Sequence, residues 1–428
     1  LFGLLTVWLL LRFATELAGP RAGVAAAAFY AVTPLAIYYS AEGRNYAMLA
    51  FTVLLAVRAA YRATSEYGTT RDWVLHGAAV ALSLYVHYIS APVVLVGMAL
   101  VVTAGWRRHL KGWLLSMVGA AVAFVPWAAV AAQQVGDIGD TLGWLVPFWE
   151  RYPPQLAIPL SLLAFMPGGQ VPPFVGLATV DWLQPALAVG VAAIVALVLL
   201  PRALFLRPIS RQVRVLALGS VLLPLVVPFL YSFHTPVYLV GRSDFTVFPC
   251  FCLLAGVAWA RLRARPVAIG AVVLMTVVCL VAWPAYFGGT ARTHEREKLQ
   301  QLAQSMKPGD LVLCTDLTRP TAQYQLGRLV SDLRFESFPR EVAKHSAVVD
   351  RESYQNRPEL LAQDAEQLVA LVRELERDNT AWLLQVEHPM NAPLVRAFAG
   401  QNLRLATDDH YRLNQLGIQV RIQRVVGR

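Results

Sequence analysis

The sequence predicts an α-helical polytopic membrane protein that ends in a soluble α/β domain, and three observations carry that expectation. Of 428 residues, 57% are hydrophobic and 15% charged, against about 25% charged in an average soluble domain. Apolar runs near the roughly 20 residues needed to cross a bilayer core recur through the first 286 positions. The charge density then changes, because residues 1–290 hold 18 Lys/Arg and 9 Asp/Glu whereas residues 291–428 hold 19 and 18.

Ten spans can be marked, at about 1–17, 22–38, 46–62, 72–89, 91–104, 113–131, 181–200, 214–232, 244–260 and 266–286. Threaded alternately, they place 15 of their 18 basic residues on one side, and only Arg44, Arg151 and Arg242 on the other. Basic loops stay in the cytoplasm, so the side with three faces outward. That rule absorbs most of the net charge of +10 and leaves no reason to expect a nucleic-acid partner. The outward side holds Glu42, Asp137, Asp140, Glu150, Asp181 and Asp244, together with the long loop 132–180. Within that loop Leu156–Phe165 is too short to span and is expected along the interface.

Beyond Tyr286, Gly288-Gly289 breaks the apolar pattern, so the domains expected are 1–286, a transmembrane block, and 287–428, an extracytoplasmic α/β domain. In the second, Thr293–Met306 reads as a polar helix and Leu311–Cys314 as a strand. Glu359–Arg377 follows as an amphipathic helix, then strands at Ala381–Val386, Leu403–Thr407 and Ile418–Val425. Strand and helix alternating in this way suggest a small α/β unit. The four cysteines, Cys250, Cys252, Cys279 and Cys314, show neither disulfide nor metal spacing. No phosphate-binding Gly-rich loop and no Ser/His/Asp array is present. No cofactor is therefore expected, and a divalent metal is left open.

Two outward turns combine an arginine with an acid. The first runs Tyr38-Tyr39-Ser40-Ala41-Glu42-Gly43-Arg44-Asn45-Tyr46, and the second runs Tyr238-Leu239-Val240-Gly241-Arg242-Ser243-Asp244. A guanidinium presents forked donors that match a phosphate, and a nearby carboxylate can orient it or bind a sugar hydroxyl. The alternatives are an arginine snorkelling to water within a tyrosine belt at the first turn, and a local Arg242–Asp244 ion pair at the second. His87 and His234 close spans on the same side, where His87 is expected to line a cavity rather than catalyse. Trp149-Glu150-Arg151-Tyr152 offers either a sugar-stacking platform with a carboxylate or a membrane anchor.

The first turn resembles the motif Tyr-Tyr-Ser-Gln-Glu-Ala-Arg-x-Tyr of the polytopic GT-C glycosyltransferases, the superfamily of protein mannosyltransferases and the lipid A aminoarabinose transferase. Ala41 and Gly43 depart from that motif. Gly241-Arg242 before Pro249 is similar to a later family element, Arg-Tyr-x-x-x-x-x-Pro, with Ser243 in place of its tyrosine. The resemblance implies a GT-C-like fold and inverting transfer of a sugar from a polyprenyl-phosphate donor to a glycan, lipid or protein acceptor. Transfer would take place on the outer face of the cell (inner) membrane. It implies that Arg44 and Arg242 hold the donor phosphate, with Glu42, Tyr39, Tyr46, His87, Glu150, His234, Tyr238 and Asp244 supporting it or binding sugar. The family's general base is an Asp between its first two spans; Leu1 falls in what reads as the second, so that Asp is expected upstream and this chain is expected to be inactive alone.

Two other classes fit parts of the pattern. A transporter or lipid flippase would place ionisable groups or Gly/Pro breaks near mid-span, whereas here the ionisable groups gather at one boundary. A membrane-anchored binding protein leaves the paired arginine turns unexplained.

Overall fold

The computed structural model describes residues 1–41, 44–133, 149, 157–165, 210–261, 270, 277, 295–315, 318–340, 358–375, 378–386, 389–412 and 419–427. The chain divides into two compact units, Leu1–Tyr286 and Phe287–Arg428. In the first unit the described helices are α1 Phe2–Ala18, α2 Pro20–Val32, α3 Pro34–Ala41, α4 Tyr46–Ala63, α5 Thr70–Val86, α6 Val93–Gln133, α7 Ala157–Ala164, α8 Arg211–Tyr231 and α9 Phe248–Ala260. Three apolar runs, Tyr46–Ala63, Tyr88–Ala132 and Arg211–Tyr231, are long enough to cross a membrane, and the bent pair α2/α3 makes a fourth. The first unit is thus a multi-pass membrane block. The predicted span 181–200 lies outside the described residues, as does 266–286 apart from Gly270 and Val277.

Three elements differ from expectation, each for a local reason. The span predicted at 22–38 is two helices bent by 63°. Pro34 has no amide to donate, and it forces Thr33 out of helical geometry to φ −73°, ψ 128°. The spans predicted at 91–104 and 113–131 form one helical run that breaks only at Gly105, where φ is 116° and ψ 92°, so the basic stretch Arg107–Lys111 opens the second helix instead of forming a loop. Of the stretch Leu156–Phe165, expected along the interface, Ala157–Ala164 form α7, and Ala157, Ser161, Ala164 and Phe165 are buried against the rest of the unit. Phe165 packs against Phe248 and Phe251 of α9 at about 5.4 and 5.5 Å between ring centroids.

Helices in lipid associate by close packing rather than by hydrophobic burial, which favours small residues at contacts. Here α9 crosses α2 at Gly256, where an added Cβ would stand 2.6 Å from the carbonyl oxygen of Ala22 and from Cβ of Ala26. The polar groups of the unit separate to its two ends. At one end Arg58 of α4 pairs with Glu16 of α1, Arg62 lies 3.5 Å from Asp72 of α5, and Gln212 of α8 donates to Thr64 at 2.8 Å. The other end of α4, about 27 Å away for 18 residues, begins at Tyr46.

The second unit contains α10 Glu295–Ala303, β1 Leu311–Thr315, α11 Thr318–Leu326, β2 Arg334–Phe338, α12 Pro358–Arg373, β3 Ala381–Val386, α13 Ala392–Gly400, β4 Leu403–Arg412 and β5 Gln419–Gly427. The five strands form a sheet in the order β2-β1-β3-β5-β4. Strand β1 runs parallel to β2 and β3, and β5 is antiparallel to β3 and β4. Side chains alternate across each strand, so Val312, Cys314, Trp382 and Leu384 pack under α10 and α11 while Leu311, Leu313, Ala381 and Leu383 pack under α12 and α13. Strand β2 and helices α11 and α13 were not foreseen. The α/β unit itself was.

Candidate functional site

The second end of the membrane unit is built by the C-terminus of α3, the N-terminus of α4, the C-terminus of α5, helix α7 and the segment between α8 and α9. The bend at Pro34 carries Tyr38 and Tyr39 inward, and both are buried. The Tyr39 hydroxyl donates to the carbonyl of Gly241 across 202 residues of sequence, and its ring lies 4.4 Å from that of Phe245. Gly241 has φ +73°, a conformation that disfavours any side chain. Its amide donates to Asp244 Oδ2 at 2.9 Å.

That turn presents Arg242. Its Nε donates to the hydroxyl of Tyr46, and its guanidinium carbon lies 5.5 Å from the centroid of the same ring. Tyr46 in turn packs on Tyr39 at 4.9 Å and stands 6.4 Å from the ring of His87. Asn45 ties the start of α4 to the end of α5 by donating to the carbonyl of Val86, while His87 Nδ1 accepts from the amide of Ile89 at 3.2 Å.

In the same turn Asp244 is fully buried; its Oδ2 accepts from the Gly241 amide, while its Oδ1 has no hydrogen-bond partner. Ser161 shares a hydrogen bond of 2.6 Å with the Tyr238 hydroxyl. The Asp244 carboxylate therefore holds the turn that carries Arg242, and the Ser161–Tyr238 bond ties α7 to the segment that leads into that turn.

The sequence-derived residues fall into three groups. Tyr39, Tyr46, His87, Tyr238, Arg242 and Asp244 come together here. Arg44 is exposed at the start of α4, two residues before Tyr46, and His234 is exposed with its ring 6.2 Å from Tyr231. Glu42 and Glu150 lie outside the described residues. Trp149, read as a possible platform, packs edge-on against Phe229 and Phe233 at 6.0 and 5.6 Å. Asn45 and Ser161 belong to the cluster but were not singled out from sequence; a lone serine in an apolar stretch was the sole signal for the second. Among the described residues, no three His, Cys, Asp or Glu side chains are placed to hold a metal.

The helical block, the bent second span, the Arg242 turn and the small C-terminal sheet define a polytopic membrane protein with a C-terminal α/β unit. Residues 1–131 match the family model described as dolichyl-phosphate-mannose-protein mannosyltransferase. The fold is similar to that of ArnT from Cupriavidus metallidurans in the apo state, with TM-score 0.54 at 14% identity over 99% of this chain and 82% of that one. It is likewise similar to the same protein bound to undecaprenyl phosphate, with TM-score 0.55 at 14% identity and the same coverage. No curated protein matches the chain.

Proposed function

We propose that this chain is the membrane core of a glycosyltransferase that moves a sugar from a polyprenyl-phosphate-linked donor to an acceptor, with inversion at the anomeric carbon. The observation that carries the proposal is Arg242, presented by a Gly241 turn and aligned by Tyr46 at one end of the apolar block. A cation fixed there suits a lipid phosphate, and the reading is supported by the similar fold of ArnT, which has been solved bound to undecaprenyl phosphate. In this reading Arg44 and Arg242 bind the donor phosphate and stabilise it as leaving group. Tyr46 and Tyr39 position Arg242, Asp244 and Tyr238 hold its turn, and Glu42, His87, Glu150 and His234 support the phosphate or meet the sugar. Residues 1–286 carry about ten spans in the cell membrane, and residues 287–428 lie outside the cytoplasm.

Charge-assisted hydrogen bonds contribute about 1.5–3 kcal/mol each. Replacing Arg242 by Ala should therefore weaken undecaprenyl phosphate binding by the purified protein by about 10- to 100-fold, while membrane insertion is retained. Arg44→Ala should act in the same direction. Unchanged binding in both variants would refute the phosphate roles.

A further inference from the structure

The second unit holds a cavity of about 370 Å³ between α10, α11 and the turn that follows α11, lined by Arg296, Gln300, Tyr324, Gln325, Arg328 and Leu329. That volume lies at the lower end of the range, about 300–1,000 Å³, typical of small-molecule sites. Helical spacing explains the lining. Leu299 and Leu302 of α10 and Ala322 and Leu326 of α11 are buried, which turns Arg296, Gln300 and Tyr324 outward.

The lining is chemically specific. Tyr324 is 59% exposed and Leu329 52%, so a ring face and an aliphatic surface stand open to solvent. Arg328 Nη1 donates to the Tyr324 hydroxyl at 2.6 Å, and its guanidinium carbon lies 5.2 Å from the ring centroid, which fixes ring and cation as one unit. Among the described residues Arg296 has neither a hydrogen bond nor an ion pair, and no carboxylate lines the cavity. Two guanidiniums without a counter-charge on the wall suit an anion. An aromatic face flanked by two glutamine amides suits the apolar face and hydroxyls of a sugar ring.

We propose that this pocket binds an anionic saccharide, its phosphate or carboxylate on Arg296 and Arg328, its ring against Tyr324 and its hydroxyls on Gln300 and Gln325. A simple anion would use the arginines and leave Tyr324 and Leu329 idle. The proposal does not depend on the phosphate site at Arg242.

The test is isothermal titration of the full chain in detergent with glucose 1-phosphate, glucuronate, glucose and inorganic phosphate. Glucose 1-phosphate, glucuronate or both should bind at least 10-fold more tightly than glucose or phosphate. The double variant Arg296→Ala/Arg328→Ala should lose that binding, Tyr324→Ala should weaken it several-fold, and Arg242→Ala should leave it intact. Whichever sugar anion binds more tightly identifies the charged group. No sugar-anion binding, equal binding by the double variant, loss of binding in Arg242→Ala, or phosphate binding as tightly as both sugar anions would overturn the proposal. These side chains lie outside the core, so the variants should unfold at the wild-type temperature.

Discussion

At the scale of single residues, Arg242 and Tyr46 were both legible in the sequence as polar residues at the ends of apolar spans. Their partnership was not, because 196 residues separate them and no local pattern encodes a contact across that distance. Tyr46→Phe tests it with least disturbance. The ring that packs on Tyr39 and lies beneath the guanidinium remains, and only the hydroxyl that accepts from Arg242 is lost. Undecaprenyl phosphate should bind about 3- to 30-fold more weakly, the equivalent of one hydrogen bond to a charged group with part of its value recovered by water. In the C-terminal unit Glu295 makes a pH prediction. Burial, only partly offset by a hydrogen bond with Thr321, pushes its carboxyl up from 4.5 to about 7, and one of its oxygens has no hydrogen-bond partner. Between those values the native state keeps a proton that the unfolded state has released. The associated stability is complete below about pH 4.5 and is lost as pH rises to about 7. Glu295→Gln should flatten the fall in this unit's thermal midpoint over that window and raise the midpoint at pH 8; an unaltered pH profile would show that the carboxyl titrates normally.

At the scale of elements, the sequence located apolar helices well and their interruptions poorly. Hydropathy averages over a window, so it registered the apolar run 22–38 without the break that Pro34 imposes on it, yet that break directs Tyr38 and Tyr39 into the site. It also placed Leu156–Phe165 along the interface without the core-facing side that Ala157, Ser161, Ala164 and Phe165 form, because length and apolarity do not reveal which residues of a short helix pack inward. In the soluble unit the same patterning worked at Ala381–Val386, whose strand bounds match, and missed β2, whose Arg-Phe-Glu-Ser-Phe sequence carries too little apolar character to stand out. Helix α7 yields the element-scale prediction. Ser161 is its polar link to the segment that leads into the Arg242 turn, through Tyr238. Ser161→Ala leaves the buried Tyr238 hydroxyl short of a hydrogen bond, at a cost of about 1–3 kcal/mol. Thermal stability in detergent should fall accordingly, and proteolysis within loop 132–180 should accelerate; Ser161→Thr, which keeps the hydroxyl, should restore part of both. Equal stability and cleavage rates in Ser161→Ala and wild type would mean that α7 is held by Ala157 and Phe165 packing alone.

At the scale of the whole chain, the membrane unit is polarised by helix ends that lie far apart in sequence. The Arg58–Glu16, Arg62–Asp72 and Gln212–Thr64 contacts gather at one end, while Arg242, Tyr46, His87 and Asp244 gather at the other. In the proposed orientation the first end faces the cytoplasm, the side that the count of basic residues favours, since moving several cations across the bilayer core opposes insertion the other way round. Two exposed positions report on that assignment. Tyr67 is 89% exposed in the turn between α4 and α5, at the first end, and His234 is exposed after α8 at the second. In a background lacking the four natural cysteines, His234→Cys should react with a membrane-impermeant maleimide in intact spheroplasts. Tyr67→Cys should react only after the membrane is opened. The converse pattern would place the Arg242 site in the cytoplasm and overturn the proposed outward transfer, whereas labelling of both positions before opening would break the alternation of spans on which the assignment depends.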